Sequence, residues 1–203
     1  MFVMNLFFDL DCSDLFGEMR KEGDIKLDLY QIFVTHNRKW TPFEIGCFLI
    51  IFLMAVVVCG YLQRKQKIVW QQSVAGLLLL LFLGVVFAST VFTRISDGVH
   101  HYNLEPFWSW KQVYHGNREI LCGNLLNMVL LFPMGVLLSI MFRKRLPWWM
   151  GLLAGCAVAS VIEIFQLVLC RGLFEWDDMI HNSIGCMIGC VVSGFYKSHR
   201  LKS

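Results

Sequence analysis

Glu163 stands in an apolar run, Gly151 to Cys170, that carries no other charged residue. An ionised carboxylate inside a bilayer costs about 2.5–3.5 kcal/mol on insertion scales. The residue must therefore find a partner, hold a proton, or lie close to the water interface. The run leads through a short turn with Arg171, Asp177 and Asp178 into a second apolar segment that starts near His181 and Asn182. Whatever the chain does has to accommodate these charges at the edge of an apolar layer.

Several further runs of about 20 apolar residues make this layer a membrane. Hydrophobic residues form 57% of the chain and charged ones only 16%, against roughly 45–50% apolar in soluble domains. The expected fold is all-α, a polytopic helical membrane bundle of about five transmembrane helices. The spans fall at 43–62, 71–92, 121–142, 148–170 and 179–196. Thr41-Pro42-Phe43-Glu44 combines a threonine cap, proline at the first helical position and glutamate at the third, which predicts the start of span one. Residues 1–42 read as an acidic N-terminal tail, with Leu27, Tyr30, Phe33 and Val34 on one face of a short interfacial helix. Residues 43–92 make a two-helix part, 93–196 a membrane domain with an outer loop and three helices, and 197–203 a basic tail. The first residues lack the basic start of a cleavable signal peptide. The eight cysteines show no CxxC or zinc spacing and are expected to pack as small hydrophobes.

Five spans place the basic turns Arg64–Lys67 and Arg143–Arg145 and the tail from Lys197 on one side, which the positive-inside rule makes cytoplasmic. The loop 93–120 and the turn Arg171–Asp178 then lie outside, with Trp108 and Trp110 at the headgroup level. Arg38 and Lys39 argue against an external N-tail. Asn124, Asn127, Glu163, Gln166, Arg171, Asp177, Asp178, His181 and Asn182 converge on that outer side. Gly151, Gly155, Ala159, Glu163 and Gln166 share one helical face, and small residues there turn Glu163 toward the bundle interior. Asp178, Asn182, Gly185 and Gly189 share another, expected to seat span five against span four. Asn124, Asn127, Leu131 and Gly135 share a third, on a span that Pro133 is expected to kink.

Each residue also has a plain structural reading. Glu163 can pair with Arg171, the asparagines can bridge helices, Asp177 and Asp178 can cap span five, and His181 fits an interfacial side chain better than a metal ligand.

The pattern Asn103-Leu-Glu-Pro106-Phe107, Asn127, Phe132-Pro133-x-Gly135, Glu163-x-x-Gln166, Arg171, Phe174, Asp177-Asp178, Asn182-x-x-Gly185 and Gly189 resembles the VanZ-like family over residues 102–196. The resemblance implies a multi-pass protein of the bacterial cytoplasmic membrane, associated in its founding members with resistance to the glycopeptide teicoplanin. On this reading Glu163, Asp177 and Asp178 are the candidate catalytic residues. Asn103, Phe107, Asn127, Gln166, Arg171 and Asn182 are candidate substrate contacts. Acids at different depths could serve as acid and base, or two acids and an asparagine could hold Mg²⁺ or Ca²⁺ against a phosphate. The expected partners are the bilayer and a lipid-linked wall precursor or phospholipid head group, with no nucleic acid. An enzyme acting on an envelope amphiphile and a binder that sequesters drug or lipid both fit. A transporter or scramblase fits less well, because the polar residues crowd one side and no internal repeat is present.

Overall fold

The computed structural model describes residues 38–96, 98–142 and 146–200, with side chains as far as 195. The N-terminal tail with its expected interfacial helix, the Arg143–Arg145 turn and the end of the basic tail lie outside the described residues. From Trp40 onward the chain forms one compact unit.

Helix α1, Pro42–Arg64, starts as its sequence predicts. The Thr41 hydroxyl accepts from the Glu44 N–H at 3.3 Å, and the Glu44 carboxylate accepts from the Thr41 N–H at 2.9 Å. None of its residues is buried, so apolar side chains such as Phe43, Leu53 and Val57 stand exposed for lipid. Helix α2, Trp70–Phe87, packs beside it and runs on as a π-helical turn, Ala88–Phe92. The Ser89 and Thr90 hydroxyls both donate to the Val86 carbonyl there, a back-bonding that bends and loosens helices. A loop with the short strand β1, His101–Asn103, leads to helix α3, Trp108–Tyr114. Helix α4, Arg118–Phe142, is continuous through Pro133. Helix α5, Trp148–Val168, is followed by strand β2, Leu173–Glu175, and helix α6, Trp176–Arg200.

Helices α1, α2 with its π turn, α4 and α5 are each long and apolar enough to cross a membrane. Helix α6 is the fifth long helix, but its first turns carry Asp177, Asp178, His181, Asn182 and Ser183. These residues face protein rather than lipid, because α6 packs between α4 and α5. Glycines set that approach. An added Cβ at Gly185 would meet the carbonyl oxygen of Met128, one at Gly189 that of Phe132, and one at Gly135 that of Cys186. The Gly185–Gly189 face therefore seats α6 on α4, the third span, and not on the fourth, the partner its small-residue pattern predicts. A run of small residues reports close approach without naming the partner. Helix α5 meets the other side of α6 through its own glycines. A Cβ at Gly151 would lie 2.9 Å from the Cys190 sulfur, and one at Gly155 would lie 2.8 Å from the Ser183 Cα. Leu131, Met134, Ala159, Ile162, Phe174 and Cys186 fill the core between these helices. Cys186 and Cys190 pack there as free thiols, whereas Cys122 is in a disulfide.

Strands β1 and β2 pair in parallel, with Asn103 opposite Glu175. This pairing ties the loop after α2 to the loop after α5 at one end of the bundle, above Glu163.

Candidate functional site

Glu163 is 3% exposed, on the face of α5 that also buries Gly151, Gly155, Ala159 and Gln166. Its Oε2 accepts from the Glu175 N–H at 3.0 Å. Its charge interacts with Asp178, Arg94 and Glu175. Asp178 reaches across from α6, and its Oδ1 accepts from the Asn127 amide of α4 at 2.5 Å. Three helices thus contribute to one polar cluster. Each of the two acids has one oxygen held by a fixed donor.

The counter-charge is Arg94, in the loop just beyond the π turn. Its guanidinium interacts with both Glu163 and Asp178, while burial works against its charge and pulls its pKa down. An ionisable group two residues past an apolar span looks like an ordinary loop residue, which is why sequence reasoning passed over it. Arg171, the partner considered for Glu163, points elsewhere. It donates from Nη1 to the Phe92 carbonyl at 3.0 Å and the Val91 carbonyl at 3.5 Å. Gln166 donates to the Thr90 carbonyl at 2.9 Å. The last carbonyls of α2 lack intrahelical donors, and a cation suits that negative end. Arg171 and Gln166 therefore lock the end of α2 onto the start of the α5–α6 connection.

Asp177 and Asp178 are neighbours with different surroundings. Asp177 is 1% exposed and accepts from the Phe107 N–H at 2.6 Å, the Ser109 N–H at 2.9 Å and the Ser109 hydroxyl at 2.6 Å. Asn124 donates to the same hydroxyl at 3.3 Å. Phe107 has a left-handed backbone, with φ 60°, a conformation that costs a non-glycine residue on the order of 1 kcal/mol or more. The carboxylate of Asp177 holds this turn and supplies acceptors to the first N–H groups of α3. The Phe107 ring itself is exposed.

Glu175 forms the lid of the cluster. Burial raises its pKa, opposed by the Asn103 amide and the Trp108 indole that face it. Its Oε1 and the Trp108 Nε1 are buried without a hydrogen bond of full geometry. So are the Arg171 Nε, the Asn182 Oδ1 and both ring nitrogens of His181, whose ring packs at 5.6 Å from that of Trp110. Asn103 Oδ1 also accepts from the Glu105 N–H at 3.2 Å. Of the residues singled out in the sequence, Glu163, Asp178, Asn127 and Asn103 surround one cluster. Gln166 and Arg171 brace its side, Asp177 braces its roof, and Asn182 lies one turn below Asp178. Glu175, Arg94 and Trp108 join the cluster without having been singled out for it.

Among the described residues, no three His, Cys, Asp or Glu side chains form a group able to hold a metal ion. Arg94 already brings positive charge to Glu163 and Asp178. The residues present do not fit the Mg²⁺ or Ca²⁺ site that two acids and an asparagine suggested.

A helical bundle with four apolar spans, and a buried cluster of acids and arginine at one end, is the architecture of a multi-pass membrane protein. The chain belongs to the VanZ/LLP1 family, whose family model matches residues 47–197. The matched region takes in most of α1 and all of α2 as well as residues 102–196, which carry the sequence pattern. No curated protein and no solved structure matches the chain.

Proposed function

We propose that the protein works at the outer face of a bacterial cytoplasmic membrane. There the Glu163–Asp178–Arg94 cluster receives the polar head of an envelope lipid or lipid-linked wall precursor, binds or modifies it, and contributes to tolerance of teicoplanin. The observation that carries this reading is the burial of Glu163 toward Asp178 and Arg94. Lipid-facing packing would gain nothing from an ionisable group there. With one oxygen of each acid anchored, the other oxygen is left to accept a head-group hydroxyl or to handle a proton. The outward assignment rests on the basic turn Arg64–Lys67, at the end of α1 opposite the site loops. A binder without chemistry is favoured by the fixed hydrogen bonds on Glu163 and Asp178, which hold the acids in one arrangement.

The test is expression of the full chain in a sensitive Gram-positive host, with teicoplanin and vancomycin susceptibility measured beside membrane abundance. Tolerance should rise more for the lipid-tailed teicoplanin. Unchanged susceptibility with normal abundance would remove this activity. For sidedness, Tyr114→Cys should react with an impermeant thiol reagent in intact cells and Lys67→Cys should not. The reverse pattern would turn the site inward.

A further inference from the structure

Arg94 leaves the π turn at Phe92 and reaches the segment that follows α5. Gly172 makes room for it, since a Cβ at that position would stand 2.7 Å from the Arg94 Nη1. Its charge interacts with Glu163 of α5 and Asp178 of α6. Among the described residues, however, the one ion pair within 4 Å is the exposed Lys111–Glu105 pair. The five N–H donors of this guanidinium are therefore not spent on the two acids. Next to Gly172, the Arg171 Nε is also buried without a hydrogen bond. The acids, by contrast, are already engaged on one side by Asn127 and by the Glu175 N–H. The site thus holds more directed N–H groups than its own acceptors use.

We propose that Arg94 is a ligand-binding residue of this site and that the group it binds is phosphoryl, carried by an amphiphile or by a free phosphate compound. This rests on the reading of the site as a receptor for a polar head. A phosphoryl group offers several acceptor oxygens in one place. The planar fork of arginine matches it through paired hydrogen bonds, which the point charge of lysine cannot reproduce. Asn182 Oδ1, one turn below Asp178 and buried without a hydrogen bond, is suited to a hydroxyl on the alcohol side of the head group. Gly172 is part of the device, because any side chain there would push the guanidinium away.

The experiment uses the full chain in a neutral detergent, as wild type, Arg94→Gln and Arg94→Lys. Melting temperature reports folding, and affinity is measured for phosphatidylglycerol, for the matching phosphate-free diacylglycerol, and for inorganic pyrophosphate as competitor. Wild type should prefer phosphatidylglycerol to diacylglycerol by about tenfold or more, the scale of a buried charge-assisted contact. Arg94→Gln should lose that preference and keep its affinity for diacylglycerol. Arg94→Lys should fall between, and it carries the test if the glutamine variant does not fold. Competition by pyrophosphate would assign recognition to the phosphoryl group alone, and lack of competition to the intact lipid head. Equal phosphatidylglycerol affinity in folded wild type and Arg94→Gln would overturn the proposal. Equal wild-type affinity for the two lipids would overturn it as well, and would leave the amphiphile reading in place. Binding of neither lipid would remove both.

Discussion

Asp177 and Ser109, 68 residues apart in sequence, are joined by two hydrogen bonds, 2.9 Å from the serine N–H and 2.6 Å from its hydroxyl. The contact fastens the first turn of α3 to the first turn of α6, and a third donor, the Phe107 N–H at the start of α3, completes it. The adjacent carboxylate of Asp178 turns instead to α4 through Asn127. A single position in the first turn of α6 thus separates a bracing acid from one that faces the cluster.

Asp177→Ala should therefore act on folding. Hydrogen bonds to a charged acceptor are worth about 1.5–3 kcal/mol each, and removing the acceptor strands buried donors. The variant should lose about 3 kcal/mol or more, seen as a lower melting temperature and lower membrane abundance. Asp177→Asn keeps one acceptor oxygen and should fall between. Normal stability of Asp177→Ala together with loss of function would move Asp177 from the brace to the site itself.

The packing of α6 makes a separate prediction. A methyl group at Gly185 would run into the Met128 carbonyl oxygen, which is backbone and cannot swing aside. Gly185→Ala should cost about 1–3 kcal/mol or more by overpacking. Gly60→Ala on α1 meets nothing within 4 Å and should gain up to about 1 kcal/mol from helix propensity. Melting of the two purified variants beside wild type measures both. Equal melting temperatures would mean that α4 and α6 do not approach as closely as described.

Glu175 supplies a pH dependence. Its pKa is raised above 4.5, chiefly by burial. The folded chain therefore keeps this proton at pH values where the unfolded chain has released it. The stability it contributes is fully present below about 4.5 and is lost as pH rises through the raised folded value. Glu175→Gln does not titrate. The melting temperature of wild type, relative to this variant, should fall between acidic and neutral pH. A constant difference across that range would place Glu175 in water.

The spans, the capping box at Thr41 and the inward face of Glu163 were legible in the sequence because each rests on local periodicity. Gly151, Gly155, Ala159 and Glu163 repeat at helical spacing, and all are buried. What was not legible is long-range. Gly185 and Gly189 announce close approach, but only the folded bundle names α4 as the partner. Arg171 and Asp177 have the residue types of a site, yet Arg171 satisfies carbonyls 79 and 80 residues away, and Asp177 satisfies donors 68 and 70 residues away. Arg94 stands alone in a polar loop, so nothing local links it to the acids it serves.

The decisive variants are Glu163→Gln and Asp178→Asn. Each replacement keeps the side-chain shape and leaves a carbonyl oxygen able to accept the bond now made by the Glu175 N–H or by the Asn127 amide. Each removes a charge that interacts with Arg94. A purely structural cluster would suffer from this change, since an uncompensated buried charge typically costs about 3–5 kcal/mol. Here two acids share one nearby cation, so loss of either leaves Arg94 with the other. Both single variants should therefore accumulate in the membrane at wild-type levels and melt within a few degrees of wild type. Function should nevertheless drop by about tenfold or more in each, the scale of losing one acid–base or charge-assisted contact. The double variant should fold less well, because Arg94 then has no acid beside it. Abundance, melting temperature and the wild-type phenotype, followed together, separate the cases. Full function in both single variants would reduce the acids to packing, and loss of abundance in step with function would make the cluster a structural ion network.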